Sequence, residues 1–168
     1  IIKNLYLRSL GKFKNESFDF SDGLNVVYGE NEAGKSTISN AIKTFFYKDI
    51  TVKKKYKKNL VPIGETKGSY DIIFENEDKT FKSLVTLGLT NAKTLIKTYN
   101  EPEGTAVDTG DMELGEYLFN MDEKMFDSVC HLRDINGFKQ VSENSDLLSG
   151  ELSKSSSKNS FFASTFVY

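Results

Sequence analysis

The stretch from Leu24 to Tyr47 limits what this chain can fold into more than any other. Leu24-Asn25-Val26-Val27-Tyr28 is a short apolar run that follows the turn pair Asp22-Gly23, and such a run reads as a buried strand. Gly29-Glu30-Asn31-Glu32-Ala33-Gly34-Lys35-Ser36 then completes the pattern G-x-x-x-x-G-K-[ST]. Beyond it Ile38, Ala41, Ile42, Phe45 and Phe46 recur at i, i+3, i+4, i+7 and i+8, which sets one apolar stripe on a helix. Strand, glycine-framed loop and helix together form the context in which this pattern holds phosphate. Gly29 and Gly34 let the backbone curl so that successive N–H groups face phosphate oxygens. The start of the helix adds the positive end of its dipole. Lys35 is placed to reach β- and γ-phosphates, the Ser36 hydroxyl to ligate Mg²⁺, and Thr37 to meet an α-phosphate.

Length and composition bound the rest. A chain of 168 residues suits one domain. With 38% hydrophobic and 27% charged residues it reads as globular with a polar surface. Net charge is −2, so no global basic field announces nucleic acid. Cys130, the single cysteine, excludes an internal disulfide and fits a reducing compartment. No apolar run approaches the ~20 residues that span a bilayer, and no signal segment opens the chain. A soluble cytoplasmic protein is expected, with no membrane contact. The chain begins at Ile1 and not at methionine, which suggests a trimmed or incomplete start.

Along the chain, Ile1–Leu10 reads as a strand ending at Gly11, and Phe18-Asp19-Phe20 as a second. The Asp22-Gly23 turn is expected to bring Leu24–Tyr28 back as an antiparallel neighbour. Lys53-Lys54-Lys55-Tyr56-Lys57-Lys58 is a basic run around one tyrosine; it reads as a solvated loop or as a contact for a nucleic-acid backbone. Ser69–Phe74, Phe81–Leu87 and Ala92–Tyr99 alternate as strands of an antiparallel meander. The turns Asn76–Lys79 and Glu101–Gly104 join them. Leu114, Tyr117, Leu118 and Met121 form a helical stripe that Asp111 is placed to cap. Asp122 is placed to cap a second helix carrying Met125, Phe126 and Val129. Both stripes are expected in the core. From Ser142 the composition turns to Ser, Lys, Asn and Glu, as in a linker. His131, the one histidine, reads as a surface or packing residue.

The N-terminal motifs carry a family resemblance. Ile2-Lys3-Asn4-Leu5-Tyr6-Leu7, Gly11-Lys12-Phe13, Phe18–Asn25 and Gly29–Thr37 together resemble the opening of an SMC/SbcC/RecF-type ATPase head, an ABC-class P-loop NTPase. The Gly-Lys-Phe and Asn-Glu-x-Gly-Lys-Ser-Thr details are most similar to its YhaN-like branch. The likeness is strong over the opening through Tyr47 and weaker to about residue 135. It implies an α/β fold, the N-terminal lobe of an ABC-type head with an antiparallel β-meander over 1–141. Residues 142–168 then lead as a polar tail toward a coiled coil and a C-terminal lobe lying outside this chain. It further implies ATP and Mg²⁺ as cofactors, bound by Asn31, Glu32, Ala33, Gly34, Lys35, Ser36 and Thr37. Two heads would close around two ATP molecules as a homodimer, with DNA and a nuclease subunit as further partners.

The sequence departs from the family at two positions. Related heads carry an arginine after the first strand; Gly11 falls there and Lys12 follows, a point charge in place of a planar fork. A glutamine is expected downstream of Phe126, where Asp134 stands and Gln140 comes later. No catalytic acid or base is assigned in this lobe; a carboxylate at Asp134 could touch Mg²⁺ or its water. Leu148-Ser149-Gly150-Glu151 imitates the family's signature motif with one glycine missing, and no Asp-Glu strand follows. The expected function is ATP binding and hydrolysis coupled to DNA repair or processing, with this piece alone nearly inactive. The alternative is a nucleotide-dependent interaction module that switches assembly with little turnover. A phosphate-loop kinase or GTPase fits less well, because no guanine-reading Asn-Lys-x-Asp motif is present and the meander after the helix argues against both.

Overall fold

The computed structural model describes residues 1–47, 60–89 and 93–130. Two compact units emerge, Ile1–Asn120 and a second beginning at Met121. The first is a mixed α/β structure built on a six-stranded, wholly antiparallel sheet in the order β2-β1-β3-β4-β5-β6. Its strands are β1 (Ile2–Leu10), β2 (Phe13–Asp19), β3 (Lys67–Asn76), β4 (Lys79–Gly88), β5 (Leu95–Glu101) and β6 (Thr105–Ala106). The expected meander is β3-β4-β5. Its tight turn places Glu77 and Asp78 at φ 49° and 61°, between the paired Asn76 and Lys79. Two left-handed residues in a two-residue loop match the right-handed twist of the strands they join.

Alternation decides which face is buried. Leu5 and Leu7 of β1 stand beside Ile72 and Tyr70 of β3, and Tyr70 beside Val85 of β4; all five are buried. Helix α1 (Lys35–Phe46) covers this face with Ile38, Ala41, Ile42, Phe45 and Phe46, all buried as its stripe predicts. The Phe74 ring lies 5.3 Å from that of Phe45, and the Tyr70 hydroxyl donates to the Ala41 carbonyl at 2.7 Å. Each such side chain contributes on the order of 1.5–3 kcal/mol by leaving water. The other face is polar: the Asn4 amide donates to Ser17 and Asp19, and Arg8 pairs with Asp71.

Three expectations are corrected. Leu24–Tyr28 is neither a strand nor buried: Leu24 is 82%, Val26 72% and Tyr28 91% exposed. β2 pairs instead with β1. The reason is lateral. β1 already has β2 on one side and β3 on the other, and β2, the sheet edge, is mostly exposed and polar. The turn also aims the chain away. Lys3 holds Asp22 at 2.8 Å, and the Asn25 side chain bonds back to Ser21 N–H at 3.0 Å and to Ser21 C=O at 2.8 Å. Asp111 does not cap α2 (Leu114–Phe119): the helix begins after Glu113, which takes the N-cap position, and no side chain makes a cap hydrogen bond there. Tyr117 of that stripe is 47% exposed, while Leu114 is buried, because a helix this short presents only part of its stripe to the sheet unit.

The second unit contains α3 (Glu123–Val129). Asp122 caps it as expected, accepting from Met125 N–H at 2.8 Å; of the expected core stripe only Phe126 is buried, while Met125 and Val129 are half-buried. Burial pushes the Cys130 thiol up to about 11. The lysine run, His131, Asp134, Gln140, the Leu148–Glu151 motif and the 142–168 tail lie outside the described residues.

Candidate functional site

The loop from Gly29 to Ser36 folds as a closed turn. Ala33 N–H donates to the Glu30 carbonyl at 3.1 Å. The backbone enters α1 through Gly34 at φ 102°, a conformation that L side chains rarely adopt. Glu32 is also left-handed, at φ 63°. At Gly29 the loop closes on itself: a Cβ there would lie 2.9 Å from that of Ala33.

Lys35 holds this turn. Its Nζ donates to the Gly29 and Glu30 carbonyls, both at 2.8 Å. An ammonium has three donors, so one remains for an oxygen brought to the loop. The carbonyls, which would repel an anion, are occupied by the cation that attracts it.

The helix start is prepared in the same sense. Gly34 supplies no side-chain cap, and the first turn of α1 contains no acid. Thr37 and Ile38 N–H both turn back to the Gly34 carbonyl. The N–H groups of Lys35 and Ser36 precede that ladder, as the first donors of any helix do. Donors without intrahelical partners at the positive end of the dipole favour an anion. Lys43 sits in the last turn, where a cation complements the opposite end.

The structure brings most of the expected residues together. Asn31, Glu32, Ala33, Gly34, Lys35, Ser36 and Thr37 form one continuous loop and helix start. The Ser36 side chain is exposed and Thr37 half-buried. Lys12, from the β1–β2 turn, passes beside this loop: its Cε lies 3.5 Å from the point a Cβ on Gly34 would occupy. Among the described residues, no three His, Cys, Asp or Glu side chains gather as a metal site. Mg²⁺ fits this arrangement all the same, because it commonly takes few protein ligands and completes its shell with phosphate oxygens and water; Ser36 is the hydroxyl available to it. One residue gained a role that its sequence does not show. Phe13, quoted above only as part of the Gly11-Lys12-Phe13 motif, packs directly against Gly34.

The family follows from a comparison with known proteins. The AAA domain model matches residues 4–163. The chain belongs to the AAA domain family. It is thus an AAA-type P-loop NTPase, a membership that implies nucleotide binding with a divalent metal. It is also 22% identical over 118 residues to the DNA double-strand break repair Rad50 ATPase of Thermoplasma volcanium. That match covers 70% of this AAA domain chain and 13% of the relative, so the chain spans a small part of that protein's length.

Proposed function

We propose that this chain is the nucleotide-binding N-terminal lobe of an SMC/SbcC-like ATPase, nearest the YhaN-like branch, which couples ATP binding and hydrolysis to DNA repair or processing. The observation that carries the reading is the Lys35 clasp over the Gly29 and Glu30 carbonyls at the uncapped start of α1. Backbone N–H groups of Asn31, Glu32 and Gly34 would line the phosphate path, with that of Ala33 turned back to the Glu30 carbonyl. Lys35 offers its third donor to the β- and γ-phosphates, and Thr37 meets the α-phosphate. Lys12 adds a second cation from the side. Ser36 would hold Mg²⁺, which neutralises charge between the β- and γ-phosphates when bound. Asp134, which the resemblance sets at the glutamine-loop position, would touch Mg²⁺ or its water.

The exposed run Leu24–Tyr28 supports the lobe assignment. Apolar surface of this kind is normally covered, and a strand from a C-terminal lobe would supply the cover. In this reading ATP draws two heads into a homodimer, with DNA and a nuclease subunit as further partners. No described helix is long and apolar enough to cross a membrane.

Phosphate release and gel filtration on the full-length protein test the proposal. ATP should drive dimerisation and turnover, and Lys35→Ala should remove both. The isolated chain should bind ATP yet turn over far below the ~10 s⁻¹ ordinary for enzymes. Turnover untouched by Lys35→Ala overturns the reading, and ATP-driven dimers without phosphate release favour the interaction module.

A further inference from the structure

The β1–β2 hairpin is tied to the phosphate loop by one ring. Gly34, left-handed and lacking a Cβ, leaves a gap that Phe13 fills: a Cβ built there would lie within 2.5 Å of its Cζ and Cε2. The ring is fixed from several sides. Phe18 meets it edge-on at 5.5 Å and 82°. Phe13 pairs with Leu10 to close the hairpin, and Gly11 N–H between them donates to the Leu60 carbonyl at 2.7 Å. Lys12 therefore leaves a turn that is held at its base and braced against the loop.

We infer that Phe13 is a positioning residue of the nucleotide site, a brace that sets the Gly34 turn and brings Lys12 alongside it. This rests on the phosphate-loop reading above. Gly34 aims the first N–H groups of α1, and a displacement of about 1 Å in such a site can cost on the order of a hundredfold in rate. The same ring holds the hairpin that carries Lys12, so loss of the ring should uncouple that lysine from the phosphates. Phe13 itself touches no phosphate. Half-buried near the sheet edge, it is a weak candidate for a purely structural role in the core.

The test is a double-mutant cycle on the whole chain, with MgATP affinity measured by calorimetry at a temperature where every variant is folded. Phe13→Ala should weaken ATP binding about tenfold, and Phe13→Leu, which keeps bulk but not the flat ring, about threefold. Lys12→Ala should cost about fivefold in the native background and less than about twofold beside Phe13→Ala, the non-additivity expected of coupled residues. A packing role alone would lower the melting temperature while leaving ATP affinity and the full Lys12 effect in place, and that result overturns the inference. Should Phe13→Ala not fold, the same cycle is run with Phe13→Leu. Lys35→Ala serves as the control: if it binds ATP as the native chain does, the phosphate-loop reading fails first; if it loses binding while Phe13→Ala keeps it, only the brace fails.

Discussion

Two apolar segments flank the phosphate loop and meet opposite fates. Ile38–Phe46 on the C-terminal side is buried against the sheet. Leu24–Tyr28 on the N-terminal side points most of its apolar surface at water. The helix closes its own backbone hydrogen bonds and needs only a surface for its stripe, which Tyr70, Ile72 and Phe74 provide. An extended segment must find a neighbour for its backbone as well as its side chains, and the sheet has none to offer beside β1. Hydrophobicity alone therefore says what needs covering and leaves open what covers it.

Substitutions on the two sides should differ sharply. Phe45→Ala removes a ring packed on Phe46 and Phe74 and should cost about 3–5 kcal/mol of unfolding free energy in urea. A loss below about 1 kcal/mol would mean that α1 does not depend on this face. Tyr70→Phe keeps the ring but withdraws the hydroxyl from Ala41; about 1 kcal/mol should be lost, and an unchanged midpoint would show that the bond does not anchor the helix.

Smaller effects belong to the other side. The Lys3 ammonium beside it holds the Asp22 carboxyl below its ordinary range. A depressed carboxylate contributes stability at neutral pH, and that contribution fades as pH falls through the folded-state value. NMR titration should find Asp22 below the ordinary carboxylate range, and Lys3→Met should return it there. If Lys3→Met leaves the value where it was, the ion pair does not hold the turn. Val26→Ser should change the stability of this chain by less than about 0.5 kcal/mol while weakening association with a C-terminal lobe in the full-length protein. A large loss in the chain alone would show that Leu24–Tyr28 is covered after all.

Local patterns explain which parts of the structure were legible in the sequence. β1, the meander, α1 and the Asp122 cap each follow from periodicity or from one residue's chemistry within a few positions. The loop was legible because its function fixes residue types at fixed spacing. The burial of Leu24–Tyr28 was misread because an extended run is buried only where a strand pairs with it, and the run's own residues do not set that partner. The Asp111 cap failed over a helix start two residues later, a detail that propensity does not resolve. The contact of Phe13 with the loop was not legible, because its partner, Gly34, has no side chain and lies across a turn that sequence alone does not close.

The central claim is that Lys35 holds the loop and receives the phosphates. Calorimetry with MgATP on the native chain and on Lys35→Ala, with folding confirmed by melting, tests it most directly. The native chain should bind, and Lys35→Ala should bind at least about a hundredfold more weakly, because it loses both the clasp on Gly29 and Glu30 and the cation facing the nucleotide. An affinity within about threefold of native in a folded Lys35→Ala variant would contradict the account.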